Sequence, residues 1–259
     1  MASFSRYVGV DYSGAETDLA RLRGLQVYEA GQERQPVRVN TPAGEGWKWN
    51  RKEVAQWLVE QMLSERSGGP VIVGIDHGFS FPVPYLDRYE LADWDAFLDD
   101  FCRYWHNKEE VYVDAYRENN PRTGTTADGL RLTEKWTASA KCLFQFAGQG
   151  TVAKSTHAGI PWLRFLRRHP DLQGHVHFWP FDGFDVRVGA SVVAEVYPAI
   201  FHRRYEQEVA STHERDAYSV ARWLRESDAR GILEHYLSPP LTTREQKLAK
   251  REGWILGVA

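Results

Sequence analysis

Two apolar runs near the start of the chain end alike: YVGVDYSG at residues 7–14 and VIVGIDHG at residues 71–78, each closing on Val-Gly-aliphatic-Asp. Side chains alternate faces along a strand, so Gly9 shares a face with Asp11, and Gly74 with Asp76. If the two strands lie side by side and parallel, both carboxylates emerge at the C-terminal edge of one sheet, where open α/β sheets bind ligands. Carboxylates that close repel each other, and a hard divalent cation such as Mg²⁺ or Mn²⁺, which takes oxygen ligands and keeps several waters, relieves the repulsion. Two more acids are candidates for the same edge. Glu195 interrupts the apolar run SVVAEVYP, and Asp216 is expected in the first turn of a helix beginning near STHERDAY. Taken singly, a strand-terminal Asp caps a turn and a helix-initial Asp meets the positive end of its helix. What points to a shared site is the order of the elements, which brings all four acids toward one edge.

Other stretches carry weaker chemistry. GQGTVAKST, residues 148–156, departs from a P-loop at Ala153, where the glycine before the lysine belongs. CLFQFA before it and HAGIPWLRFLRR after it read as strand, loop and helix, which makes Lys154 and Ser155 candidate phosphate contacts. Arg117 and Arg122, in the polar stretch YRENNPRTGTTADG, are candidates of the same kind. His77 and His213 adjoin the acids and are candidate proton carriers. His175 and His177 have the spacing of a metal pair but read first as exposed strand residues, and the basic run RFLRRH reads as a solvated helix face.

The elements that must position these groups follow from periodicity. YVGVD, GLQVYEA and PVRVN predict three strands, and Asn50 can cap a helix from about residue 51 to 66 with Val54, Trp57, Leu58 and Met62 as its apolar stripe. VIVGID is apolar on both faces, as a central parallel strand should be. Trp94, Phe97, Leu98, Phe101 and Trp105 mark an amphipathic helix inside a less regular region, residues 79–185, which reads as an insertion. SVVAEVYPA then returns as a strand and STHERDAYSVARWLRES as a helix, with Ser211 and Glu214 able to form a capping box and Ala217, Val220, Ala221 and Leu224 facing the core. The expected architecture is a single α/β domain over residues 1–259, a mixed sheet with helices on both faces.

Composition excludes some classes. A net charge of -3 gives no overall positive field for holding nucleic acid or anionic lipid unselectively. Two cysteines, Cys102 and Cys142, form no metal-ligand or redox spacing, and no apolar run of membrane-spanning length or signal-peptide pattern occurs. The expectation is an unanchored protein of a reducing cytoplasm, with no membrane partner.

VGVDYSG, VGIDHGFSFP, EVYPAIF, ERDAYSVARW and the terminal EGWILGV, in that order, resemble a predicted-nuclease family whose members are assigned a ribonuclease H-like fold. The resemblance implies that Asp11 on the first strand, Asp76 on the fourth and Asp216 on the last helix hold divalent metal, with Glu195 on the fifth strand as an added member. It also implies a phosphodiester hydrolase acting on nucleic acid or a nucleotide. The first helix departs from the pattern, offering only Glu53 and Glu60. Two other readings stay open: a catalytically inactive nucleic-acid or protein binding module of this fold, and a phosphotransferase or ATPase like the actin group, which duplicates the core where this chain has one copy. The weak net charge suggests a short, single-stranded or distorted substrate, with aromatic residues of 79–185 stacking on its bases.

Overall fold

A computed structural model describes residues 3–13, 20–63, 68–105, 117, 120–137, 140–148, 150–205 and 211–259. Strands β1 (Arg6–Tyr12), β2 (Leu25–Gly31) and β3 (Val37–Arg38) are antiparallel neighbours. Strands β4 (Val71–Asp76), β5 (Val176–Trp179) and β6 (Ser191–Glu195) continue the sheet in parallel with β1. The order across the six strands is β3-β2-β1-β4-β6-β5. The three-strand opening and the central position of VIVGID are as the periodicity predicts. The strand bearing Glu195 is the sixth in the chain, because VHFW forms an edge strand before it.

Helices α1 (Arg51–Leu63), α2 (Val83–Arg88), α3 (Trp94–Tyr104), α4 (Leu132–Trp136) and α5 (Ala153–Arg168) precede β5 or β4 in the chain. Asn50 Oδ1 accepts the Glu53 amide at 2.8 Å, the expected cap of α1, and Val54, Leu58 and Met62 are buried beneath it. One core layer joins α1, α3 and α5 to Val8, Val10, Val73, Ile75 and Val193 of the sheet. Residues 79–185 are therefore no appendage: they supply two of that layer's helices and the edge strand. The basic run of α5 lies at the surface, as its pattern predicts, and there Arg164, Arg167 and Arg168 pair with Asp95 and Asp99 of α3 and with Asp182.

On the other face lie α6 (Thr212–Ala229), α7 (Leu233–Leu237) and Ala249 of α8 (Thr243–Glu252). Ser211 caps α6 by accepting the Glu214 amide, while its hydroxyl donates to the Glu214 carboxylate at 2.6 Å, so only half of the expected capping box forms. Ala217, Val220, Ala221 and Leu224 are fully buried, as their spacing predicts. The two strand glycines let this helix approach. A Cβ at Gly9 would overlap the Ala217 carbonyl and stand 2.8 Å from the Ala221 amide, and one at Gly74 would meet Val220 and Val196. Gly9→Ala is expected to lower stability by about 1–3 kcal/mol, because the obstruction is helix backbone that no rotamer change can clear. A urea midpoint equal to wild type would show that α6 is not seated this closely. No helix among the described residues is long and apolar enough to cross a membrane, and neither Cys102 nor Cys142 is disulfide-bonded.

Candidate active site at the carboxylate edge

β1 and β4 are in register, Gly9 opposite Gly74 and Asp11 opposite Asp76, so the two carboxylates leave adjacent strands on the α6 face. Asp11 is fully buried and well bonded: Oδ1 accepts the Ser13 amide at 2.8 Å and the Ser13 hydroxyl, and Oδ2 meets Nδ1 of His213 at 3.0 Å. Asp76, half-buried at its strand end, accepts no hydrogen bond and makes no ion pair among the described residues. Burial pushes its carboxyl well above the usual range, and the negative charges of Asp11, Asp216 and Glu195 push it further. Asp216 belongs to this group by position. It is the fifth residue of α6 rather than a first-turn residue, one turn before Val220, and its charge acts on both Asp76 and His213.

The row extends onto β2. Gln26 pairs directly with Asp11 across the strands and so shares its face. Its amide nitrogen donates to the Arg23 carbonyl at 2.8 Å, while its buried Oε1 has no donor among the described residues. A neutral oxygen without a donor, a carboxylate without a cation and a second carboxylate beside it suit a hard divalent cation such as Mg²⁺ or Mn²⁺. Among the described residues, no three His, Cys, Asp or Glu side chains already converge as metal ligands. The group is an open row of oxygens, and water must complete any coordination shell.

The two histidines beside the acids differ. His213 is half-exposed, and its hydrogen bond to Asp11 raises its pKa. His77 is buried between Tyr12 and Phe79, and burial lowers its pKa to about 3, so it stays neutral and is not the proton carrier the sequence suggests. His177 is likewise buried, its Nε2 at 2.9 Å from the Gly183 carbonyl, which rules out the exposed strand pair with His175.

Glu195 requires a correction. It pairs in register with Ile75, not Asp76, so its side chain lies on the opposite face of the sheet. There both of its oxygens accept from the guanidinium of the fully buried Arg131, one at 2.8 Å, and Oε2 also takes the Phe79 amide at 2.9 Å. Arg131 is held in turn by Glu134 at 2.9 Å and by the Glu252 carbonyl at 3.0 Å. Glu195 therefore anchors the chain after β4; it lines one narrow cleft with Asp76, and its charge acts on that carboxyl.

The four candidate phosphate contacts also look different in three dimensions. Arg122 is ion-paired to Asp100 at 3.0 Å and sandwiched by Tyr89 and Tyr104, and Arg117 lies 4.5 Å over the ring of Phe146, so both serve packing. Ser155 is buried with its hydroxyl donating to the Val152 carbonyl at 2.9 Å. CLFQFA forms a turn rather than a strand, and Lys154 sits half-buried in the first turn of α5. Gly150 and Val152 do line one narrow cleft with Asp76, as does Lys141, a residue that no motif marked. Gln26 was also passed over, although strand parity and its place opposite Asp11 could have found it. Gln149 of the loop and residues 116 and 118–119 of the polar stretch lie outside the described residues.

No family model, curated protein or solved structure matches this chain.

Proposed function

We propose that this chain is a divalent-metal-dependent phosphodiester hydrolase of ribonuclease H-like fold, acting on nucleic acid or a nucleotide. The observation that carries the reading is the in-register pair Asp11 and Asp76, whose second member is buried among acids with no hydrogen bond among the described residues. The strand order, three antiparallel strands followed by parallel ones, supports the fold.

In this reading Asp11 and Asp76 hold the cation, with Asp216 and the Gln26 oxygen within the same row. A divalent cation held there would supply Lewis-acid polarisation of the scissile phosphate and a lowered pKa for its water. Ser13 and His213 fix the orientation of Asp11. The half-exposed imidazole of His213 can pass a proton between the site and solvent.

The open row also favours a second reading, an inactive binding module, because nothing in it is a closed metal cage among the described residues. The two separate by assay of labelled single-stranded and duplex DNA and RNA, and of mononucleotides, in Mg²⁺, Mn²⁺ or chelator. Cleavage that requires metal is expected. Intact substrates throughout, together with no Mn²⁺ binding by calorimetry, would leave the binding module as the better account.

A further inference from the structure

Of the aromatic side chains that residues 79–185 were expected to offer to bases, Phe79, Phe81, Trp94, Phe97, Phe101 and Trp105 belong to the core, while Trp136 is left 42% exposed. The opposite flank of the carboxylate edge is built differently. Leu25 opens β2 opposite Tyr12, and β3 runs back antiparallel to β2, so residues 20–24 and 39–50 both lie along the edge at which Asp11 ends.

These two segments are fastened together. The Leu22 amide donates to the Trp49 carbonyl at 2.9 Å, and Arg21 donates to the Lys48 carbonyl at 2.6 Å. The same guanidinium makes two hydrogen bonds to Glu53, at 3.1 and 2.6 Å. Trp49 is buried, its indole N–H on the Val39 carbonyl at 3.2 Å, and so anchors the loop. Trp47, two residues earlier, is left 55% exposed, with the Arg21 guanidinium 5.1 Å over its ring.

An indole kept in water with a pinned cation behind it offers a large apolar face at little further cost in conformational freedom. The charges around it suit an anionic ligand. Arg23 and Lys48 are exposed and make no ion pair among the described residues, against the -3 of the whole chain. Arg23 is also close enough to act electrostatically on His213, the residue bonded to Asp11. Cationic groups thus run from the indole toward the carboxylates.

We infer that Trp47, backed by Arg21 and flanked by Arg23 and Lys48, is a stacking platform for an unpaired nucleobase whose phosphate lies toward Asp11 and Asp76. The inference rests on the hydrolase reading and adds to it a preference for unpaired bases, either in a single strand or in a free nucleotide. A duplex keeps its bases stacked on one another and offers the ring no face.

The test is fluorescence anisotropy of a labelled single-stranded dodecamer, as DNA and as RNA, in chelator, with the duplex and free mononucleotide as competitors. Trp47→Ala is expected to weaken single-strand binding by about 5- to 150-fold, the range for loss of one base–aromatic stack. Trp47→Phe should recover most of the affinity, and the melting temperature should not move, since the ring is exposed. Competition by mononucleotide as effective as by oligomer would identify the ligand as a free nucleotide. If wild type cleaves and binds single strands while Trp47→Ala binds them equally well, the platform is overturned and the hydrolase reading stands. If wild type neither cleaves nor binds, the hydrolase reading fails and the platform with it. Trp47→Ala that alters only self-association assigns the ring to a protein contact and overturns the inference.

Discussion

Asp76→Asn is expected to abolish metal-dependent hydrolysis, by at least about 100-fold, and yet to melt above wild type in chelator. The two effects have one cause. The Asp76 carboxylate is held among Asp11, Asp216 and Glu195 with no hydrogen bond to offset its burial among the described residues, and removing the charge removes the repulsion. The sign follows from linkage. A carboxyl whose pKa is raised on folding destabilises the fold fully above that raised value, and the penalty vanishes as pH falls to the unfolded value of 3.8. The advantage of the variant over wild type should therefore shrink as the pH is lowered through that window. Mn²⁺ at about 100 times its Kd should stabilise wild type by about 2.7 kcal/mol, or roughly 5–10 °C, with most of that response lost in the variant. Equal Mn²⁺ shifts in the two proteins, read by calorimetry, would place the cation elsewhere on the surface.

The second large effect is structural. Arg131→Met should destabilise the protein by about 3–5 kcal/mol, because it leaves Glu195 and Glu134 buried with no counter-charge. The loss should ease in acid, as the orphaned carboxylates take up protons. Arg131→Met combined with Glu195→Leu and Glu134→Leu should recover much of the stability, since a buried ion network replaced by apolar groups of similar volume is often neutral. Urea denaturation checks both variants. A loss below about 1 kcal/mol for Arg131→Met would mean that water reaches the network and that the Phe79 segment is anchored by something else.

Both sites show where local pattern suffices and where it does not. The parity of Gly-x-Asp in two strands, the apolar stripes of α1, α3 and α6 and the caps at Asn50 and Ser211 depend on residues a few positions apart. They were legible because strand and helix geometry repeat every two or 3.6 residues. The glycines were legible for the same reason: a bare position two residues before an acid implies close packing beneath it, and Gly9 lies against the backbone of α6.

The identity of each charge's partner was not legible. Glu195 stood out as a site acid because it interrupts an apolar strand run, yet its counter-ion is Arg131, 64 residues upstream. The acids that pair with RFLRRH sit on α3, and Arg122 looked available because Asp100 and its two tyrosines are distant in the text. The sequence by itself determined which residues share a face of each strand and helix, since that is set by local backbone geometry. The tertiary structure alone decided which of those faces meet. Glu195 stands in register with Ile75 rather than Asp76, and that single step between neighbouring strands sends it through the sheet to Arg131 and leaves Asp11 and Asp76 facing each other.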